Sequence, residues 1–457
     1  MPDASPAIIP PAPVVHSREL STLRLALTSI RNSLEIWPES AFELRFSRNR
    51  VLGVENVLIN DPEGIRHVMT TNAMNYVRPT IMPRLLRPLM GRGVFLAEGK
   101  EWRRQRRQLA SVFSPASVST LLPHFLSAAE DLAQDVRSRK AVDLSDAYQS
   151  VALNAVLRAL FSLPDRQDRD RVGAVVRQYI DGPGRPQIFD GIAKSETAFG
   201  FALRHRRAFQ KNWVALVDSL VAERSAAPYP VASRDLLDLL LAARDPETEQ
   251  PLAPEEVRDQ AATMIFAGYE TTARLLFWAT YLLTLDKTEQ SRIRAEVTAF
   301  PVDQVSTLKD LENWPRLRNV LLEALRLYPP VPMLVREPVN DDTIMGEPVR
   351  RGVQIYVAPW VMHRHRAFWD APTAFRPDRF SDQPSPWTAG GPYLPFGAGP
   401  RICIGAVFAL AEAQIVLATL LARYRVSLDD PRPVLPVGRL TTQPSHSPEF
   451  TLAAVSV

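Results

Sequence analysis

Cys403 is the only cysteine among 457 residues, so no second thiol is available for a disulfide or a multi-cysteine zinc site. It stands in Phe396-Gly397-Ala398-Gly399-Pro400-Arg401-Ile402-Cys403-Ile404-Gly405, a glycine-rich loop that runs into an apolar helix. Glycines let backbone N–H groups approach the sulfur, and the positive end of the following helix favours a negative charge. Both effects lower a thiol's pKa. A thiolate so placed is a ligand for iron that pushes electron density onto the metal, the ligation that favours O–O cleavage. The plain alternative for a lone cysteine is a small buried hydrophobe.

Three further clusters carry chemistry. Ala267-Gly268-Tyr269-Glu270-Thr271-Thr272 lies inside an apolar stretch of helical periodicity over residues 254–286. A glycine there costs about 1 kcal/mol against alanine, so something other than helicity selects it. Small Ala267 and Gly268 leave room for a diatomic ligand, and Glu270 beside Thr271 offers an acid and a hydroxyl to relay protons. The alternative is a kinked core helix. Glu323 and Arg326 form an i,i+3 pair which, exposed, would contribute only about 0.2–0.5 kcal/mol. Leucines surround them, and buried charges must be paired and hydrogen-bonded, which predicts a third partner. Trp102 and Arg106, four apart on a predicted helix, present an indole N–H and a guanidinium to one carboxylate. Their neighbours Arg103, Arg104 and Arg107 read as a solvated helix face. His363-Arg364-His365 has no nearby cysteine or carboxylate ligand and reads as part of an irregular section. Arg204-His205-Arg206-Arg207 reads as another solvated face.

These groups need a scaffold. Helical periodicity runs from about 99 to 328 and again from about 405 to 424, broken at Asp181-Gly182-Pro183-Gly184 and Ala226-Ala227-Pro228-Tyr229-Pro230. Leucines at residues 18–36 predict an amphipathic surface helix, and alternation over 42–59 predicts a hairpin about Ser47-Arg48-Asn49-Arg50. Residues 331–357 read as short strands, and Asp61-Pro62 as a helix start. The proline-rich residues 1–17 predict a mobile tail, followed by one domain over 18–457. The fold class is mainly α with a minor β part in small antiparallel sheets.

Composition agrees with an ordered globular chain, at 46% hydrophobic and 23% charged residues. A formal charge of +4, spread through the sequence, gives no reason to expect nucleic-acid binding. No run of about 18 apolar residues and no signal-like N-terminus stand out, which predicts no transmembrane anchor and a cytoplasmic location.

At this point the chain resembles the cytochrome P-450 family. Phe396, Gly397, Gly399, Arg401, Cys403 and Gly405 match that family's haem loop in order and spacing, and the resemblance covers roughly residues 40–450. It implies that haem b is held by Cys403, with Arg336 and Arg401 joining Trp102 and Arg106 on its propionates. It implies an oxygen groove at Ala267 and Gly268, with Glu270 and Thr271 as the acid–alcohol pair. Arg379 would complete the Glu323–Arg326 triad, a structural role on the proximal side. Phe266, Val331, Pro332, Met333, Leu334, Val335 and a loop over 78–98 would line an apolar substrate pocket. The implied reaction inserts one atom of O2 into an apolar substrate, a hydroxylation or epoxidation. Ferredoxin and its reductase would supply electrons to a monomeric protein, with the arginines near Trp102 as a docking face for an acidic donor. Competing readings are a peroxide-using or isomerising haem-thiolate enzyme, a non-catalytic haem-binding sensor and a colourless helical scaffold.

Overall fold

Helices carry most of the chain. The computed structural model describes residues 7–455 apart from 52, 163–165, 186–189, 191–194, 196–200, 227–234, 383–385 and 389. Helices of seven residues or more among them are α1 (Thr22–Arg31), α2 (Ile81–Met90), α3 (Gly99–Val112), α4 (Leu122–Val136), α5 (Leu144–Phe161) and α6 (Arg166–Asp181). The series continues with α7 (Phe201–Ala226), α8 (Leu236–Ala242), α9 (Pro254–Leu285), α10 (Lys287–Ala299), α11 (Pro315–Leu327) and α12 (Ala406–Arg423). Their starts follow local chemistry. Asp143, Asp235 and Asp286 accept backbone N–H groups at the heads of α5, α8 and α10, and proline opens α9 and α11, where no N–H is required.

The strands are short: β1 (Phe46–Val51), β2 (Val54–Ile59), β3 (Tyr76–Val77), β4 (Ala141–Asp143), β5 (Leu334–Pro338), β6 (Asp342–Ile344), β7 (Glu347–Val349) and β8 (Gln354–Val357), then β9 (Tyr424–Leu428), β10 (Pro436–Gly438), β11 (Thr442–Pro444) and β12 (Glu449–Ala454). The largest sheet runs β1-β2-β8-β5-β3. Its β2–β8 pairing is parallel, and the pairings of the other sheets are antiparallel. The mainly helical class with small sheets is therefore as expected.

α9 is the axis of the molecule. At 32 residues it is about 48 Å long, and it packs along α5 and against α2, α7, α11 and α12. From Asp259 to Leu283 only Met264, Ala267, Gly268 and Thr271 escape full burial. Their i, i+3, i+4, i+7 spacing makes one accessible stripe on an otherwise enclosed helix. α12 is long and apolar enough to cross a membrane, but 78% of it is buried within this fold, where it packs on α4, α9 and α10.

Several boundaries differ from the sequence reading. The hairpin exists, but Ser47-Arg48-Asn49-Arg50 lies inside β1 and the chain reverses at Gly53, whose φ of 83° suits glycine. The stretch expected as a loop over 78–98 contains α2, because its leucines bury one helical face despite Pro88. Residues 1–6 of the expected tail, and Ala227–Pro230 of the expected turn, lie outside the described residues. Residues 7–17 are fastened to the body: Phe375 N donates to Ile8 O at 2.9 Å and Tyr328 Oη to Pro11 O at 2.8 Å. Proline-rich extended backbone leaves its carbonyls free for such donors.

Candidate active site

The Cys403 loop is built by backbone bonds and two glycines. Cys403 N donates to Phe396 O at 2.9 Å and Gly397 N to Leu394 O at 3.1 Å. Gly397 and Gly399 hold φ of 77° and 68°, and a Cβ at Gly399 would lie 1.9 Å from Met69 O. Gly405, just ahead of α12, has an ordinary φ of −88°, and a Cβ there would lie in ordinary contact with Phe113 Cε1 at 4.0 Å. The thiol is accessible, yet it lies deep enough that burial, the largest influence, raises its pKa above the usual value. The Gly405 N–H and the Arg106 guanidinium oppose that rise. The loop therefore supplies the predicted stabilisers without making a thiolate unaided, and a metal held there would favour the deprotonated sulfur.

Beside the thiol, three guanidiniums, those of Arg78, Arg336 and Arg401, act on one carboxylate, and a fourth, Arg106, acts on the sulfur. Glu98 pairs with Arg78 at 2.9 Å and with Arg401, which also donates to Ala97 O at 3.0 Å. Arg401 lies over the Trp102 ring at 4.3 Å. Arg336, on β5, is buried and donates to Val335 O. Burial, with Arg78 and Arg401 alongside, pushes its pKa down to about 9. Burial likewise lowers Arg401 to about 10 and lowers Arg78 and Arg106. A half-buried cluster of cations with one anion is short of negative charge, and two carboxylates would complete it. Together with an accessible thiol next to Arg106, this donor set fits a haem with its propionates. Arg78 and Glu98 were not picked out from the sequence, where an isolated Arg and an isolated Glu carry no signal.

The distal residues are brought together only in part. Thr271 lies on the accessible stripe of α9, its Oγ1 donating to Ala267 O at 2.7 Å. Gly268 shares the stripe, but a Cβ there would meet Val156 Cγ2 at 2.8 Å. Its missing side chain thus makes room for α5 and not for a diatomic ligand. Phe266, expected to line the pocket, is buried in the core, because the accessible face of α9 passes through Met264 and Ala267. Val331, Met333, Leu334 and Val335 are partly accessible, whereas Pro332 is buried. Glu270 faces away from the relay expected of it: its Oε1 accepts from Arg274 Nε at 2.9 Å, Thr441 Oγ1 at 3.1 Å and Gln443 Nε2 at 3.3 Å.

The proximal triad is formed. Glu323 accepts from Arg326 Nε at 2.7 Å and Nη2 at 2.8 Å, from Arg379 Nε at 3.1 Å and from Arg376 N at 2.9 Å. Arg326 spends its remaining donors on the carbonyls of His363, Pro372 and Ala374. His363, set aside at first, belongs to this hub. Its Nδ1 meets Arg326 O at 3.2 Å and its Nε2 accepts from Leu394 N at 2.7 Å, tying the triad to the start of the thiol loop.

Of the arginines beside Trp102, Arg104 pairs with Glu256 in the first turn of α9 and Arg107 with Asp245 at 2.8 Å in the turn after α8, so one joins helix to helix and the other helix to loop. Arg103 is exposed. Arg206, read as solvated, is fully buried and pairs with Asp190 at 2.8 Å.

The family model described as cytochrome P450 matches residues 45–450. The chain is 28% identical over 416 residues to the chloroplastic protein LUTEIN DEFICIENT 5 of Arabidopsis thaliana, covering 86% of this chain and 69% of that one. It is 30% identical over 347 residues to cyclooctat-9-en-7-ol 5-monooxygenase of Streptomyces melanosporofaciens, covering 74% of each. Among solved structures it is similar to the haem domain of cytochrome P450DA, with a TM-score of 0.78 at 23% identity over 98% of both chains. A cytochrome P450 named CYP102L1 gives a TM-score of 0.81, also at 23% identity, over 98% of this chain and all of that one.

Proposed function

The chain belongs to the cytochrome P450 family as a monooxygenase, and from that premise we propose that it holds haem b through Cys403 and oxygenates an apolar organic molecule. The haem, when bound, supplies one-electron transfer and oxygen activation, and the protein supplies binding, orientation and electrostatics. Trp102, Arg106, Arg336 and Arg401 hold the propionates, with Phe396, Gly397 and Gly405 shaping the loop around the sulfur. Glu323, Arg326 and Arg379 fix the chain behind it. The observation that carries the reading is the cluster of three guanidiniums about one carboxylate, with the guanidinium of Arg106 next to an accessible thiol.

Ala267 keeps the distal wall small. Thr271 directs its proton to Ala267 O, so its lone pairs accept hydrogen bonds from the cleft. Met264, Val331, Met333 and Leu334 supply apolar contact and exclude water. This lining suits a fatty acid, a terpenoid, a steroid-like or an aromatic molecule. The name of cyclooctat-9-en-7-ol 5-monooxygenase supports hydroxylation of an alicyclic skeleton. Ferredoxin with its reductase, acting on a monomer in the cytoplasm, completes the proposal.

The test is the carbon monoxide difference spectrum of the reduced protein, followed by a ligand screen read as a spin-state shift. A thiolate-type spectrum that C403S abolishes is expected. Histidine-type ligation overturns the assignment.

A further inference from the structure

The corner between α2, α7 and the head of α9 holds a cleft of about 220 Å³. It is not the space beside the thiol. Arg258, Asp259 and Ala262 line it from α9, and Ala262 stands about 200° around that helix from Met264, away from the accessible stripe. Its floor is built from closed bonds. Asp259, 8% exposed, accepts from Arg92 N at 2.7 Å and from Arg258 Nε at 2.9 Å. A Cβ on Gly91, at a φ of 57°, would lie 2.2 Å from that carboxyl carbon, so the chain turns over the carboxylate only as glycine. Buried Trp213 donates its indole N–H to Leu89 O at 2.7 Å and forms an apolar wall with Val214 and Val217.

Against that wall stands an excess of cations. Arg87, Arg92 and Arg258 line the cleft beside one carboxylate, Asp259, and Asp218 lies outside it, 3.8 Å from Arg258. The Arg92 side chain is exposed and makes no ion pair among the described residues. A cavity of about 150 Å³ holds a benzene ring, so this one has room for a ring with a short chain. The last turn of α2 links the cleft to the substrate side. It contains Pro88, which removes one bond from the helix ladder, and its Arg87 also lines a second cavity of about 420 Å³ together with Arg78 and Glu98. A turn short of one ladder bond thus separates the two spaces.

We propose that the corner cleft is an effector site for a small amphipathic monocarboxylic acid, aryl or alicyclic, of roughly ten to twelve non-hydrogen atoms. Its carboxylate pairs with Arg92 and Arg258, and its ring lies against Trp213, Val214 and Val217. Bound there, the acid holds the last turn of α2 against α7 and α9 and favours the arrangement of residues 78–98 that retains a ligand in the distal cleft. No bond is made or broken. By reciprocity, a ligand in the distal cleft tightens the acid by the same factor.

Calorimetry with 3-phenylpropionate as probe tests this on the haem-loaded protein, with 4-phenylimidazole filling the distal cleft. The acid should bind about tenfold more tightly than 3-phenylpropanamide, its uncharged analogue. V214D, which sets a carboxylate into the wall, should weaken the acid by about tenfold while 4-phenylimidazole still ligates the iron. R92Q should weaken the acid and leave the amide as in wild type, and it serves as the test should V214D not fold. In a spectral titration the acid should tighten 4-phenylimidazole several-fold, and the azole should tighten the acid equally. Equal affinity for acid and amide, indifference to these variants, competition between acid and azole, or binding of the two without mutual effect overturns the proposal. Lack of an azole spectrum counts against the haem reading instead, and the comparison of acid, amide and V214D by calorimetry still decides the site.

Discussion

His363 is fully buried between α11 and the chain leading to Cys403. Both ring nitrogens are used as a neutral imidazole uses them, one donating to Arg326 O and the other accepting from Leu394 N. Burial, with the Arg326 and Arg364 guanidiniums alongside, pushes its pKa down to about 3. Above about pH 6.5 the imidazole is neutral in both folded and unfolded chains, and its contribution to stability is complete. As the pH falls from there toward 3, the unfolded chain binds a proton that the folded chain refuses, so stability is lost. Between pH 7 and 5 the wild type should lose about 2 kcal/mol more than H363N, whose side chain does not titrate. Urea unfolding of both proteins at the two pH values measures this, and parallel losses would remove the burial argument. No role for His363 is visible in one dimension, because its two partners are backbone atoms, which any residue possesses.

At the scale of elements, the seam between α5 and α9 sets where the distal wall stands. Tyr148 Oη and Thr280 Oγ1 lie 2.6 Å apart across it, and Tyr269 Oη donates to Gln149 Oε1 at 3.2 Å. One residue before Tyr269, Gly268 lets Val156 approach. G268A should therefore destabilise the fold by about 1–3 kcal/mol, the range for overpacking a core. V156A combined with G268A should recover most of that loss, since contacting residues are not additive. Thermal unfolding of the two single variants and the double variant closes the cycle, and strict additivity would mean that Gly268 does not serve the seam. This seam also explains what could be read in advance. The Cys403 loop, the Glu323–Arg326 pair and the existence of α9 are local patterns and were legible. The facing of α9 was not, because a helix apolar on nearly every side has no amphipathic phase to read. For that reason the sequence points to Phe266 and not Met264 as pocket lining, whereas α2 has a clear apolar face and is masked by Pro88, which ordinarily breaks a helix.

At the scale of the whole molecule, charge that looks free in one dimension is spent in three. Arg104 and Arg107 sit in one basic run, but their partners Glu256 and Asp245 are 152 and 138 positions away. Arg107 holds the Asp245 carboxyl down to about 2, fastening the turn that follows α8 to α3. Such pairs are invisible to a reading by neighbours, and they leave Arg103 as the exposed member of the run. Attraction of an acidic electron donor by this stretch must then act through Arg103, as a long-range and salt-sensitive effect on association. With a plant-type or bacterial ferredoxin as donor, R103E should slow second-order reduction several-fold at low ionic strength, and the two rates should converge as salt is added. R107Q should instead lower the melting temperature and leave the salt dependence of reduction as in wild type. Stopped-flow reduction over a salt series separates the two. Should R107Q alter the salt dependence while R103E does not, the fastening and docking roles would be exchanged, and the net charge of +4 would be steering partners through a paired arginine.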